Sequence, residues 1–320
     1  MAVDPVFPTG LADKDWLAID TKASSPFVNT LYISTTQFDS SAANSQIAVS
    51  HSSDSGNTWT TSVVDTAQKY PSVDQWSDLA IGKDGTVYVT WQRCTANGPA
   101  RDCGGTMASM MFSKSTDGGN TWSAPVVIAC ANLRPDGCLC AFYGNLPKTA
   151  EPVSNIPVIG VDNSTGPHAG NLYVVMYTWT GKQMKIRVVT STDGGTTWSK
   201  PGGVTAPTET HDQFFPWLSV SSSGVVGVSW LDRRDDPANV SYAAFAAFAF
   251  KGNANFTQSR LISTAMSNPN NDGFGGGSWA TIPATLGWAT LCTLPGRTVA
   301  MKWSCRTRWA GSPSPSPGGC

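Results

Sequence analysis

The chain has 320 residues, of which 13% are charged against about 25% in an ordinary soluble protein, with 31 Gly, 21 Pro, 13 Trp and a formal net charge of -1. The absence of a basic run excludes a surface that tracks nucleic-acid phosphates, and no apolar run reaches the roughly 20 residues of a membrane-spanning helix. This is the profile of a turn-rich β protein, long enough for one large all-β domain or two ordinary ones.

The start, "MAVDPVFPTG", lacks the basic and apolar regions of a signal peptide, so either the protein is cytosolic or its leader has been removed. Beyond it, four units repeat at about 10–66, 71–130, 152–206 and 211–264, within a domain expected over 1–272. Each opens with a short apolar strand ("WLAID", "DLAIG", "PVIGVD", "PWLSVS"). A second strand alternates apolar and polar residues ("TLYISTTQF", "TVYVTWQR", "NLYVVMYTW", "VVGVSWLDRR"). A third runs into a recurring phrase, "SSDSGNTW" at 52–59, "STDGGNTW" at 115–122 and "STDGGTTW" at 191–198, and a fourth leaves it. A degraded copy is "AFKGNANF", ending at Phe256. Four short strands per unit joined by Gly and Asp turns make a propeller blade, so the expected fold is an all-β propeller with four legible blades.

Within the phrase, Asp54, Asp117 and Asp193 are expected to accept backbone N–H bonds while Gly takes the positive φ that other residues resist. The closing Trp59, Trp122 and Trp198 are expected to pack inward between neighbouring sheets. Three equivalent acids on one rim cannot converge on one substrate, so their role is read as structural.

Eight cysteines stand at 94, 103, 130, 138, 140, 292, 305 and 320. Cys94 and Cys103 bracket one loop and Cys130, Cys138 and Cys140 crowd another; two disulfide-closed loops would suit an exported protein, with free thiols as the alternative. The "CLC" spacing and the absence of His in that loop speak against zinc, and no cofactor or metal is expected. His51, His168 and His211 fall in different units, and no G-x-S-x-G elbow is present.

The pattern S-x-D-x-G-x-T-W, met three times in regular strand context, resembles the Asp-box (BNR) repeat of the sialidase superfamily over about residues 10–260. "DKDWLAID" at 13–20 and "DRRDDP" at 232–237 look like phrases of secreted bacterial and fungal proteins described as exo-sialidase-like. The resemblance implies a six-bladed, secreted, monomeric glycoside hydrolase that removes a terminal anionic sugar from a glycan. It also implies a Tyr nucleophile paired with a Glu, an Asp acid/base and three Arg on the sugar carboxylate. Glycan- or protein-binding without catalysis is the alternative, since Asp boxes also occur in other propellers.

A propeller presents its site where inner strands start and second strands end. Candidates there are Lys14, Asp15, Asp39, Asp74, Gln75, Arg93, Glu209, Asp212, Gln213, Asp232, Arg233 and Arg234. Carried over residue by residue, Asp15, Glu209 and Asp232 are the catalytic candidates, with Arg93, Asp212, Arg233 and Arg234 as substrate-binding candidates. The chain departs from the pattern in lacking an Arg-Ile-Pro motif and in having only two Glu, Glu151 and Glu209.

After Asp272 the repeat and every acidic residue vanish. Residues 273–320 are either a tail without blade structure or the product of a changed reading frame. Degenerate codons read one base out of step permit a G-D-Y run, where the missing Tyr would lie, and a W-x-D core like that of "VSWLDRR" at 228–234. "DKDWLAID" is already an inner strand, so the start looks clipped. An incomplete ring is expected to expose sheet edges and to leave the chain weakly active or inactive.

Overall fold

The computed structural model describes residues 10–41, 43–96, 103–133, 146–149, 153–250, 252, 254–271, 290–294 and 297–301. The described residues are all-β, with four antiparallel sheets in chain order. Blade 1 holds β1 (Leu11–Ile19), β2 (Leu31–Phe38), β3 (Asn44–Ser52) and β4 (Thr60–Val63), with β5 (Gln68–Lys69) added beside β3. Blade 2 holds β6 (Ser72–Ile81), β7 (Val87–Ala96), β8 (Cys103–Ser115) and β9 (Val126–Asn132). Blade 3 holds β10 (Val158–Val161), β11 (Leu172–Trp179), β12 (Met184–Ser191) and β13 (Gly202–Gly203). Blade 4 holds β14 (Gln213–Val220), β15 (Val226–Asp232), β16 (Ala243–Ala249) and β17 (Arg260–Leu261). A separate hairpin pairs β18 (Thr290–Leu294) with β19 (Arg297–Met301); the rest of the expected aberrant segment, with Glu151, Cys138 and Cys140, lies outside the described residues.

Period-two alternation places Val87, Val89 and Trp91 of β7 and Val226, Val228 and Trp230 of β15 inside, all below a tenth exposed. Each third-to-fourth strand turn is clasped by its Asp. In the blade 2 copy Asp117 Oδ1 accepts from Ser115 Oγ (2.7 Å) and Thr121 N (2.9 Å), and Oδ2 from Thr121 Oγ1 (2.6 Å). Asp54 and Asp193 repeat this with Thr58 and Thr197. The threonine hydroxyl first, then its backbone N–H, holds each carboxyl down at about 2.

The closing tryptophans behave differently from one another, and the reason is their neighbours. Trp122 donates Nε1 to Ser62 Oγ of blade 1 (2.8 Å), and Trp198 meets Phe112 of blade 2 edge-on at 5.2 Å. Trp59 and Trp198 both donate Nε1 back to their own turns, at Gly56 O (3.0 Å) and Gly195 O (3.1 Å), and Trp59 meets no preceding blade among the described residues. One face of blade 1 is left open, with Leu17 61%, Ile19 47% and Val63 40% exposed.

Blades are also joined by polar contacts to inner strands: Trp76 N to Thr36 Oγ1 (3.1 Å), Ile159 N to Asp78 Oδ2 (2.9 Å) and Met184 N to Asp212 Oδ1 (2.9 Å). Three of the four inner strands are interrupted by a register shift near their starts, between Asp13 and Trp16, Gln75 and Asp78, and Phe214 and Trp217. Each shift holds a non-glycine residue at positive φ, Lys14 (54°), Trp76 (55°) and Phe215 (47°), which bulky residues seldom adopt. These bulges turn the inner strands at the end where a propeller carries its site. They bring Trp16 of blade 1 against Trp217 of blade 4, ring centroids 4.7 Å apart.

Candidate functional site

At the start of β14 and the end of β15, blade 4 gathers six of the candidate residues. Asp232 Oδ2 accepts from Trp230 Nε1 (2.7 Å), Gln213 Nε2 (3.1 Å) and Arg234 Nη2, and its Oδ1 accepts from Arg234 N (2.9 Å). Arg234 then reaches Glu209 Oε2 through Nε (3.7 Å), gives Nη1 to Ser259 Oγ (2.6 Å) and lies 4.2 Å from the Phe245 ring centroid. It therefore bridges two carboxylates, Asp232 fully buried and Glu209 at 18% exposure.

Glu209 is also tied to His211, whose backbone N (3.1 Å) and ring Nδ1 (2.8 Å) both meet Oε1. Burial works against its charge, but the bonds from His211 and the nearby Arg234 and Lys185 win and hold the carboxyl below its ordinary range. Lys185, from β12 of blade 3, donates Nζ to His211 O (3.2 Å), and burial pushes its ammonium pKa down. Glu209 is thus an ionised, partly accessible carboxylate with an imidazole beside it.

Asp212 and Arg233 form a second pair beneath this one, both fully buried, with Nη1 3.5 Å from Oδ2. Asp212 further accepts from Asn239 Nδ2 (2.8 Å) and caps Met184 N of blade 3, where the two-residue β13 does not reach. Arg233 gives Nη1 to Pro147 O (2.7 Å); its Nε and Nη2 are buried without a hydrogen-bond partner among the described residues. Burial, opposed by Asp212, brings the guanidinium down to about 10.

Arg93 belongs to a separate cluster in blade 2. Its Nε and Nη2 grip Asp74 Oδ1 (2.7 Å) and Oδ2 (2.8 Å), and Nη2 also reaches Asp65 on the linker from blade 1. Burial drives Asp74 up to about 6 despite Arg93. The two clusters are the same device with the parts exchanged. In each, a buried carboxylate, Asp74 or Asp232, takes an Arg that continues to a linker acid, Asp65 or Glu209, and Asp232 also takes the indole of Trp230.

Asp15 sits exposed on the β1 bulge, next to the Trp16–Trp217 contact, and no hydrogen bond or ion pair links it to the blade 4 cluster among the described residues. Lys14 shares that bulge, Gln75 is buried at its blade 2 counterpart, and Asp39 closes its own loop through Ala43 N (2.9 Å) and Ser41 Oγ (3.0 Å). Cys94 is disulfide-bonded, whereas Cys130 is a free, exposed thiol, so the second cysteine-rich loop is not closed through Cys130. No group of three or more His, Cys, Asp or Glu is placed to hold a metal among the described residues. Sequence reasoning did not single out His211, Lys185, Asp65 or Trp230 as parts of these clusters. The local signals were the E-T-H spacing that lets Glu209 fold back on His211 and the W-x-D spacing that sets Trp230 on Asp232; Lys185 and Asp65 meet their partners only when blades pack.

Comparison with solved structures defines the class. A variant of the NanB sialidase from Streptococcus pneumoniae superposes over 83% of this chain and 54% of its own, with 10% identity and a TM-score of 0.51. A protein of unknown function from Dyadobacter fermentans (15% identity, 80% and 74% coverage, TM-score 0.48) and a GH93 α-L-arabinofuranosidase of Fusarium graminearum (15%, 78% and 66%, 0.49) are similar at lower scores. The fold is that of the sialidase-type β-propellers. The chain spans about half the length of the sialidases it matches, 46% and 54%. No protein-family model and no curated protein matches at the level of sequence.

Proposed function

We infer that this chain is an Asp-box propeller of sialidase-like glycoside hydrolase type, secreted and monomeric, that acts on a terminal anionic sugar of a glycan. The observation that carries the reading is the blade 4 end. There an ionised, accessible carboxylate (Glu209) lies on the same blade as a guanidinium (Arg233) whose Nε and Nη2 have no partner among the described residues. A carboxylate held ionised stabilises the positive charge that develops on the sugar ring as the glycosidic bond breaks, or supports a nucleophile as its base. Two free N–H groups on one guanidinium edge match the two oxygens of a sugar carboxylate. In this proposal Asp15, exposed on its bulge, supplies the acid/base, Asp232 fixes Arg234, and Arg234 aligns Glu209. Arg93 and Asp212 position their own neighbours.

A second reading, glycan or protein binding without catalysis, is favoured by the complete burial of Asp212, Asp232 and Arg233, which keeps all three from direct contact with a substrate. Release of a fluorophore from a terminal sialoside separates the two. Slow turnover that falls about 100-fold or more in Glu209→Gln, with an unchanged melting temperature, is the expected result. Turnover indifferent to Glu209→Gln would refute the assignment, and an inert protein that retains glycan-array binding would establish the second reading.

A further inference from the structure

The strands β7 and β8, of 10 and 13 residues, outrun every strand of blade 1, the longest of which has nine. At this end of blade 2 a row runs in register across the sheet: Asp74 faces Arg93, Arg93 faces Ser109, and Ser109 faces Cys130, with Ser72 opposite Thr95 two residues further, forming a ledge. A cavity of about 260 Å³ lies on this ledge, lined by Arg93, Thr95, Met107, Ser109, Ser72 and Cys130 among others. That is somewhat below the roughly 300–1,000 Å³ of sites that enclose drug-sized ligands, so it is sized for a single ring.

The chemistry of the lining selects among small ligands. Nε and Nη2 of Arg93 are taken by Asp74 and Asp65, which leaves Nη1 as the donor without a partner among the described residues. A guanidinium held so cannot offer the two-pronged fork that suits a carboxylate, and its two acids cancel its charge. The hydroxyls of Thr95 and Ser109 make no side-chain hydrogen bond among the described residues, and each both donates and accepts. Met107, 54% exposed, provides an apolar wall.

We propose that this ledge on blade 2 is a binding site for a neutral, hydroxyl-rich sugar ring, held by Arg93 Nη1 and the Thr95 and Ser109 hydroxyls. It is independent of the blade 4 cluster and of whether that cluster catalyses. It reverses the expectation that Arg93 holds an anionic sugar: its ion pairs make it a rigid single-point donor to a hydroxyl.

Cys130, the free exposed thiol in the lining, reports occupancy. Alkylation of Cys130 in the full chain is followed by mass spectrometry with galactose, arabinose, N-acetylgalactosamine, N-acetylneuraminic acid or glycerol present. The expected result is that at least one neutral sugar slows alkylation by the factor 1 + [L]/Kd, about tenfold at roughly ten times Kd. N-acetylneuraminic acid and glycerol at equal concentration are expected to protect far less. Ser109→Leu, which fills the cavity and leaves the ion pairs intact, and Arg93→Lys, which keeps a cation beside Asp74, are each expected to abolish the ratio between sugar-free and sugar-bound rates. No protection by any neutral sugar, stronger protection by N-acetylneuraminic acid, equal protection by glycerol, or protection that survives Ser109→Leu would each overturn the proposal.

Discussion

Replacing Asp78 by Asn should make the protein more stable at pH 8 and less stable at pH 4. Asp78 is buried between blades 2 and 3, where Oδ2 accepts from Ile159 N at 2.9 Å. Burial lifts its carboxyl to about 7, against the opposing hydrogen bonds from Ile159 and Leu79. An unfolded Asp titrates near 3.9, so the folded state prefers the protonated form. Its contribution to stability is fully present below about pH 4, is lost as pH rises through 7, and stays lost above. A shift of about 3 units at 1.36 kcal/mol each makes the swing on the order of 4 kcal/mol. For a chain of this size that is on the order of 10 °C in melting temperature. Asn keeps an acceptor for Ile159 but does not ionise, while its extra N–H group needs a partner and costs about 1–2 kcal/mol. The two melting-temperature curves, recorded by circular dichroism from pH 4 to 8, should therefore cross near pH 5, with the variant ahead at the alkaline end. Asp74, raised in the same direction, is common to both proteins and cancels from the difference. A difference that stays flat across this range would refute the argument that burial controls Asp78.

Other outcomes follow from the same contacts. Arg93→Met leaves the buried Asp74 carboxylate without its cation and should cost about 2 kcal/mol in urea unfolding at pH 8, less at pH 5, where Asp74 is protonated. Equal losses at both pH values would count against a charged Asp74. Gly195→Ala places a Cβ 2.3 Å from Phe112 Cε1 at φ 89° and should destabilise by about 2 kcal/mol or more, loosening blade 3 from blade 2; near-neutral behaviour would sink the packing argument. Ser115→Ala removes the hydroxyl that both donates to Asp117 and accepts from Gly119 N (2.9 Å), with an expected loss of about 1 kcal/mol by denaturant titration.

What the amino-acid order determines here is what is local. The clasp around Asp117 spans only Ser115 to Thr121, so all its donors are fixed by spacing, and three such phrases between alternating strands are enough to specify blades. The candidate residues were legible as types near the starts of inner strands and the ends of second strands, because a propeller turns those ends toward one rim. Their partnerships were not. Arg93 meets Asp74 across 19 residues once β6 and β7 pair, whereas Arg93 joins Asp65 across 28, Lys185 meets His211 O across 26, and Asp212 caps a strand of the preceding blade only after two sheets pack. The β-bulges that hold Lys14, Trp76 and Phe215 at positive φ carry no shared residue type, so no motif announces them. Strand patterning and turn chemistry act over a few residues and can be read from the chain alone. Burial, charge pairing and the shape of a cavity depend on which blades meet, and only the tertiary structure decides that.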